Sequence, residues 1–369
     1  MKITTTKEKI LNAVQLAERV TGKKESLPVL SCVFIDVGNS LKGEVVVKAT
    51  NLEAGIEVSF PCEVEERGVV AVSAAVLSQT LRSISSEKVI FKTEDGNLII
   101  ESRGTKTLIK AIPHEEFPAL GGGAETKGVS ISREELMRGV QAVSYAASPS
   151  MIRPELGSVY VLMRQGSIVC AATDSFRLAE KTIQGVKSKS ETELLIPLKH
   201  ALELSHVLER IDADEVSLSA DDSQMSVSAN GVRYVSRVVD GTFPNYKEII
   251  PKMFGTEATV LKNDFAEMLR KARVFSGNDQ HVGFHVYPKR KIFSATARSA
   301  EVGEMSDSID AAISGEDLDI NFHIGYLADC LSVIGSDSIV LGFAGAGKPL
   351  VIRGVSDPSF TYLVMPLNR

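Results

Sequence analysis

The sequence predicts an α+β protein made of three copies of one unit, each with two helices packed on antiparallel sheets. Three observations support this fold class: one amphipathic segment recurs three times, a second helical segment follows it each time, and a strand-end dipeptide recurs at a constant interval. Similar segments at a fixed period are typical of repeat architectures. At 369 residues the chain is also long enough for two or three hydrophobic cores.

The first recurring segment has the periodicity of a helix with one apolar face, and its copies span 7–21, 133–147 and 263–276. In the first copy Ile10, Val14 and Ala17 follow one another at four- and three-residue steps, which places them on one face. Ser132 and Asn263 are candidate N-caps for the second and third copies. The segment therefore predicts the first helix of each unit.

The second recurring segment predicts another helix in each unit, with copies at 73–84, 197–208 and 323–334. Each copy precedes two segments with the alternating pattern of paired strands, such as 89–91 and 98–101 in the first unit. Asp95, Gly96 and Asn97 between these two segments are typical of a hairpin turn.

A strand ending in Ala-Thr marks each unit and gives the most exact period. Thr50, Thr173 and Thr296 are separated by 123 residues in both intervals. Glycine-rich and proline-containing loops at 121–123 and 251–255 are natural joints between units. We therefore expect three domains, with boundaries at 1–123, 124–250 and 251–369.

The composition is that of a folded protein, with 44% hydrophobic and 24% charged residues. We expect a cytoplasmic location, because the sequence has neither an apolar run long enough to cross a membrane nor a signal-peptide pattern at its start. The net charge of −6 does not exclude nucleic acid, since a basic surface can occur on an acidic protein. Four scattered cysteines form no metal-binding pattern and are expected to be buried: Cys32, Cys62, Cys170 and Cys330.

The sequence contains no pattern that predicts a catalytic residue, a metal site or a cofactor. Residues 342–348 resemble a phosphate-binding loop, but Pro349 replaces the hydroxyl that this loop needs, so we expect a hairpin turn. His281 and His285 are expected to straddle a loop and a strand, which does not favour a metal site. An active site assembled only by folding remains an alternative.

The segment 172–179, Ala-Thr-Asp-Ser-Phe-Arg-Leu-Ala, has two interpretations. One is a turn capped by Asp174 and held by an ion pair to Arg177. The other is the rim of a groove, with Phe176 and Leu178 as apolar walls. The residue pattern alone does not decide between them.

Taken together, the three-fold unit and four motifs resemble the bacterial DNA polymerase III beta subunits, the sliding clamps. The motifs lie at 27–30, 172–179, 240–246 and 362–367, and the resemblance runs from Met1 to Arg369. It implies a clamp fold in which two chains pair head to tail as a homodimeric ring around double-stranded DNA, without sequence preference and without enzymatic activity. It further implies that the replicative DNA polymerase, the clamp loader and repair proteins bind through short linear motifs, with no membrane partner.

The resemblance also implies three sets of site residues. Lys24, Arg153 and Lys199 would lie on the DNA side. A groove for partner peptides would be formed by Leu156, Thr173, Asp174, Phe176, Arg177, Leu178, Pro244, Ile249, Pro349, Leu363, Met365, Pro366 and Leu367.

Glu248 and the Asn368-Arg369 end depart from the family pattern, so a second clamp copy with restricted partners is one alternative.

The third set of residues would form the dimer interface, where strand 105–111 lies beside an edge of the partner. In this arrangement Thr107 and Ile109 meet Val274 and Phe275 of the other chain. Basic residues would oppose acidic ones across the interface, namely Arg103, Lys106 and Lys110 against Glu301, Glu304 and Asp307.

A monomeric repeat scaffold that never closes on DNA is the other alternative.

Overall fold

The computed structural model describes residues 1–22, 27–38, 43–120, 128–186 and 191–367. In these residues there are two α-helices in each repeat, as the sequence predicts. They are α1 Lys7–Val20, α2 Ala74–Ser83, α3 Arg133–Ser144, α4 Leu198–Arg210, α5 Lys262–Phe275 and α6 Ile324–Asp329.

Local side chains explain where several helices begin. The hydroxyl of Thr6 accepts a hydrogen bond from Lys9 N, and the hydroxyl of Ser73 accepts one from Val76 N. The predicted cap at Asn263 is wrong, because α5 begins at Lys262 and already includes Asn263, and its N-cap position, Leu261, makes no side-chain cap. The second helix of the third repeat, α6, is also shorter than predicted, since it ends at Asp329 and the chain continues as a 3₁₀ turn.

The first repeat contains ten strands. They are β1 Lys2–Thr6, β2 Cys32–Asp36, β3 Glu44–Thr50, β4 Ala54–Pro61, β5 Glu63–Glu66, β6 Val69–Ser73, β7 Lys88–Glu94, β8 Asn97–Ser102, β9 Thr105–Ile109 and β10 Ala111–Ile112. The predicted hairpin joins β7 and β8, and both of its turn residues have positive φ, 47° at Asp95 and 77° at Gly96. This is the conformation that an Asp-Gly hairpin turn adopts.

The second and third repeats contain the remaining strands. The second repeat has β11 Val129–Ser132, β12 Ser158–Arg164, β13 Gly166–Thr173, β14 Arg177–Val186, β15 Thr192–Pro197, β16 Glu215–Ala220, β17 Gln224–Ala229 and β18 Val232–Arg237. The third repeat has β19 Thr256–Leu261, β20 His281–Tyr287, β21 Ile292–Ser299, β22 Gly303–Ser308, β23 Ala311–Gly315, β24 Leu318–His323, β25 Ser338–Phe343, β26 Leu350–Gly354 and β27 Asp357–Val364.

Two details of the third repeat differ from expectation. The strand with the Ala-Thr marker does not end there, because β21 continues three residues past Thr296. His281 and His285 both lie on β20, rather than on a loop and a strand. The hairpin prediction is confirmed, since residues 344–349 connect the paired strands β25 and β26.

The residues form two compact units, whose boundaries differ from those of the three repeats. Unit 1 comprises Met1–Met137 with Leu202–Val238, and unit 2 comprises Arg138–Ala201 with Val239–Arg369. Sheet pairing explains this division. A nine-stranded sheet in unit 1, ordered β10-β6-β2-β3-β4-β18-β17-β16-β11, joins strands of the first two repeats through β4 and β18.

Unit 2 contains the corresponding join between the second and third repeats. Its nine-stranded sheet is ordered β15-β12-β13-β14-β27-β26-β25-β19-β23, and the antiparallel pair β14 and β27 connects the repeats. Each unit also contains a shorter antiparallel sheet. The order is β5-β1-β7-β8-β9 in unit 1 and β22-β21-β20-β24 in unit 2.

Candidate functional site

The loop between β13 and β14 holds its shape through hydrogen bonds from its own side chains. The hydroxyl of Thr173 donates to Arg177 O at 2.6 Å, and Asp174 Oδ1 accepts from Phe176 N at 2.9 Å and from Arg177 N at 3.0 Å. Ser175 takes up a left-handed φ of 78° at the tip. The loop therefore presents Phe176 to solvent, with 61% of the residue exposed.

Arg177 anchors this loop to the third repeat within unit 2. Its Nε lies 2.9 Å from Asp174 Oδ2 and its Nη1 lies 2.5 Å from Asp329 Oδ2, while only 11% of its side chain is exposed. The guanidinium also stacks 4.4 Å from the ring centroid of Tyr326. Burial lowers the pKa of Arg177, but Tyr362, Asp174 and Asp329 outweigh it and raise the pKa overall. The guanidinium is thus a fixed positive charge.

The apolar floor beside this loop is formed where β14 meets β27. Leu178 lies opposite Leu363 across the two strands, and both are almost fully buried. Met365 packs against the same cluster, and its backbone N donates to Phe176 O at 2.8 Å. The other members of the cluster, which sequence reasoning did not assign to the groove, include Tyr160, Phe243, Tyr246 and Val351.

The structure contains the capped turn of the first interpretation of segment 172–179 and also places an apolar side chain of the second at the surface. The Asp174 cap and the Arg177 ion pair exist, and Phe176 is an exposed apolar side chain beside a methionine. The expectation that Leu178 is a wall is wrong, because its side chain is 3% exposed and belongs to the floor.

The remaining residues of the expected groove lie at different depths. Leu156 is buried, Pro244 and Pro349 are half-buried, and Ile249 is 53% exposed at the end of a 3₁₀ turn. Pro366 and Leu367 extend past β27 and line a cleft of about 550 Å³ against β20 and β24. The tail is fixed there by a hydrogen bond of 2.9 Å from Leu367 N to Asn321 O.

A loop with the same hydrogen-bond pattern occurs in unit 1. The hydroxyl of Thr50 donates to Ala54 O at 2.8 Å, Asn51 Oδ1 accepts from the two backbone N–H groups of Glu53 and Ala54, and Leu52 has a φ of 75°. The backbone N of Arg237 donates to Glu53 O, as Met365 N does to Phe176 O. In the first two repeats the Ala-Thr marker is thus followed by the same loop, in which an Asp or Asn side chain accepts hydrogen bonds from the backbone. We call this loop the cradle; the side chains around it differ between the two repeats.

The residues expected on the DNA side are only partly described. Lys24 lies outside the described residues. Arg153 is exposed, but its Nε lies 3.0 Å from Glu155 Oε1, so a phosphate would have to compete with that carboxylate. Lys199 is exposed as the second residue of α4.

The expected dimer residues lie on and beside two sheet edges. β9 is the last strand of the sheet in unit 1, and β22 is the last strand of the four-stranded sheet in unit 2. The strand predicted at 105–111 is wrong in its extent, because β9 ends at Ile109 and Ala111 pairs with β6 in another sheet. Ile109 points into the core at 4% exposure, whereas Leu108, missing from the prediction, is 55% exposed.

Two lysines near these edges already have ion-pair partners within the chain. Lys106 Nζ lies 2.8 Å from Glu94 Oε2, and hydrogen bonds from Lys106 and Lys92 lower the pKa of Glu94 to about 2. Near β22, Lys271 Nζ lies 2.9 Å from Asp307 Oδ2. Arg103 is exposed in the turn before β9, while Glu301 and Glu304 are exposed around the start of β22.

Within ranges 1–22, 27–38, 43–120, 128–186 and 191–367, no three His, Cys, Asp or Glu side chains are grouped so as to hold a metal ion. None of the helices in these ranges has the length and apolar character needed to cross a membrane.

Comparison with known proteins gives full-length matches. The Beta sliding clamp of Bacillus subtilis is 26% identical over 384 residues, covering 100% of both chains, and that of Pseudomonas aeruginosa is 24% identical over 373 residues, again covering 100% of both. The crystal structure of a DNA polymerase III beta subunit from Thermotoga maritima superposes with a TM-score of 0.94 at 26% identity, covering 100% of this chain and 99% of that one.

Family models match three successive parts of the chain. The N-terminal, central and C-terminal domain models of the DNA polymerase III beta subunit match residues 1–121, 130–245 and 247–368. These matches confirm the resemblance drawn from the sequence motifs and the predicted α+β repeat fold. The chain is therefore a member of the DNA polymerase III beta subunit family, the bacterial sliding clamps.

Proposed function

We propose that two copies of this chain pair head to tail into a ring around duplex DNA and hold the replicative polymerase on its template. One structural observation carries the ring. Two nine-stranded sheets each join five strands of one repeat to four of another, whereas the five-stranded sheet ending in β9 and the four-stranded sheet ending in β22 are shorter. Pairing β9 of one chain with β22 of another would complete a third nine-stranded sheet.

The chemistry of the two edges supports this pairing. Each edge strand has unpaired backbone N–H and C=O groups, which readily add a further strand. The apolar side chains near the edges, Leu108, Val274 and Val302, are all more than half exposed, although apolar groups are stabilised by burial. Arg103 lies next to one edge, while Glu301 and Glu304 lie at the other, so opposite charges would orient the two chains.

The groove in unit 2 is proposed as the site for partner peptides. Phe176 and Met365 offer apolar surface beside the Asp174 loop, Ile249 adds an exposed apolar side chain in the same unit, and a flexible thioether adapts to ligands of different shape. Arg177 is buried with two carboxylates, so we assign it to holding the loop rather than to contacting a ligand. A peptide of apolar residues fits this surface better than a charged one.

The DNA contact is proposed to be weak and independent of sequence. A closed ring stays on DNA by topology, so cations such as Arg153 and Lys199 need only make exchangeable phosphate contacts, together with Lys24. Such contacts release counterions and weaken steeply with added salt. The proposal includes three domains with boundaries near 123 and 250, no catalytic activity, and a location in the bacterial cytoplasm, where the DNA is.

Retention on circular DNA tests the ring. The chain, placed on a nicked circular plasmid by its cognate clamp loader and ATP, should co-elute with the DNA during gel filtration and should be released when a restriction enzyme linearises the plasmid. Leu108→Asp should abolish this retention by opening the β9 edge contact. Equal retention on circular and linear DNA, or a strictly monomeric mass at micromolar concentration, would refute the ring.

A further inference from the structure

The cleft of about 550 Å³ in unit 2 contains a polar cluster that the groove does not use. One wall is the tail at Pro366 and Leu367, and the other is formed by side chains of β20 and β24. His285 of β20 lies directly opposite Asp319 of β24 in the sheet register. This places a carboxylate and an imidazole beside residues assigned to the partner groove.

Asp319 is held in one orientation by two neighbours. Its Oδ1 lies 2.5 Å from His285 Nδ1 and accepts a hydrogen bond of 2.7 Å from the Tyr287 hydroxyl. His285 is fixed in turn by Thr296, whose hydroxyl lies 2.9 Å from Nε2. Partial burial acts to raise the pKa of Asp319, but the bonds from His285 and Tyr287 outweigh it and lower the pKa. The carboxylate is therefore ionised at neutral pH.

The other oxygen of Asp319 is available to a ligand. Within the described residues, Oδ2 has no hydrogen-bond or ion-pair partner, and 62% of the side chain is exposed. An ionised carboxylate with an open oxygen favours a cation that also donates hydrogen bonds. The exposed Leu367 beside it offers apolar surface, on which the aliphatic stem of a Lys or Arg side chain can pack.

We infer that this cleft binds a basic residue of the partner, next to the apolar segment in the groove; the inference rests on the proposed function. The tail separates the two sites by a short distance. Met365 N bonds to Phe176 O at the groove, and Leu367 N bonds to Asn321 O at the cleft. Two residue steps of extended chain span roughly 7 Å, so the basic residue belongs two or three positions outside the apolar segment.

The neighbouring charges limit the expected gain. Arg290 lies 5.5 Å from the ring centroid of Tyr287, on the same part of the surface, and would oppose an incoming cation. Asp317 lowers this repulsion, because it is an exposed carboxylate close to Tyr287. An ion pair in such an exposed site strengthens binding by about three- to fivefold.

Peptide extension provides the test. A dye-labelled peptide carrying the clamp-binding segment of the polymerase is extended by three residues on either side, with Arg, Ala or Glu in the added positions. By fluorescence anisotropy at low salt, the Arg extension on one side should bind about three- to fivefold more tightly than the Ala extension, and the Glu extension more weakly. Asp319→Asn should remove this difference, whereas the matched control Asp317→Asn should keep most of it.

Each outcome separates this inference from the proposed function. If the unextended peptide does not bind the wild-type chain, the groove assignment fails, and the inference fails with it. If that peptide binds but Arg gives no gain on either side, only the inference fails. Equal loss in Asp319→Asn and Asp317→Asn would also overturn it, because the gain would then come from general charge rather than from the cleft.

Discussion

Truncation of Phe176 in the groove loop and of Leu178 in the adjoining strand β14 should lower the stability of the chain by very different amounts. Leu178→Ala removes three buried carbons from a residue that is 3% exposed, and the strands around it restrict collapse of the cavity. The loss in free energy of unfolding should be about 3 kcal/mol, from lost transfer and a residual cavity. Phe176→Ala removes a ring from a residue that is 61% exposed, so stability should change by less than about 0.5 kcal/mol.

For peptide binding, Phe176→Ala is the more informative of the two variants. Phe176→Ala should lower the affinity of the chain for the polymerase peptide roughly five- to tenfold. The loop should stay folded, because the hydrogen bonds from the backbone to Asp174 remain. A double variant with Leu178→Ala and Met365→Ala is a less suitable test of the groove, since loss of the buried floor would weaken binding indirectly.

The measurements are straightforward because the chain contains no tryptophan. A tryptophan placed in the peptide reports binding without background, and urea unfolding followed by far-ultraviolet circular dichroism reports stability. Unchanged affinity in Phe176→Ala would refute the groove assignment. A loss below about 1 kcal/mol in Leu178→Ala would refute the packing argument.

Three further predictions concern the edge, a histidine and the buried arginine. Leu108→Asp should halve the mass measured by light scattering, whereas the equally exposed Val355→Asp should leave it unchanged; a dimeric Leu108→Asp would contradict the edge pairing. Burial and Arg177 lower the pKa of His323 below its usual value near 6.5, so the unfolded chain binds more protons and stability falls as pH drops from 7 toward 5. In urea titrations across this range, His323→Asn should replace the capping Nδ1 with a side-chain oxygen and flatten the fall in stability; an unchanged slope would exclude this residue as its source. Arg177→Lys should lower the free energy of unfolding by about 2 kcal/mol, because lysine cannot span both carboxylates; an unchanged urea midpoint would argue that the contact to Asp329 contributes little.

Local structure was predictable from local pattern. The helices follow from apolar periodicity, and the β7–β8 turn follows from Asp-Gly, because both depend on residues close in sequence. The Asp174 cradle was also visible, since its donors and acceptors lie within four residues. These features depend on short-range geometry that the sequence displays directly.

The sequence could not reveal contacts between distant segments. Asp329 lies 152 residues from Arg177, and no local signal marks it as the second carboxylate of that site. The joins of β4 to β18 and β14 to β27 were missed for the same reason, and the repeats were expected to be separate compact domains. Along β9 adjacent residues lie on opposite faces, so Leu108 is exposed while the expected interface residue Ile109 is buried.

The two joins within the chain have a consequence for how a ring would open. Each consists of five residue pairs between antiparallel strands, and the proposed join between chains would use strands of similar length. Covalent linkage holds the two sides of an internal join at a high effective concentration, so a ruptured join closes again. Once both joins between chains have opened, no such tether remains, so reassembly of the ring depends on protein concentration. Dilution alone should therefore dissociate the ring into single chains at these joins, while fusing two chains through a linker should make ring closure insensitive to dilution.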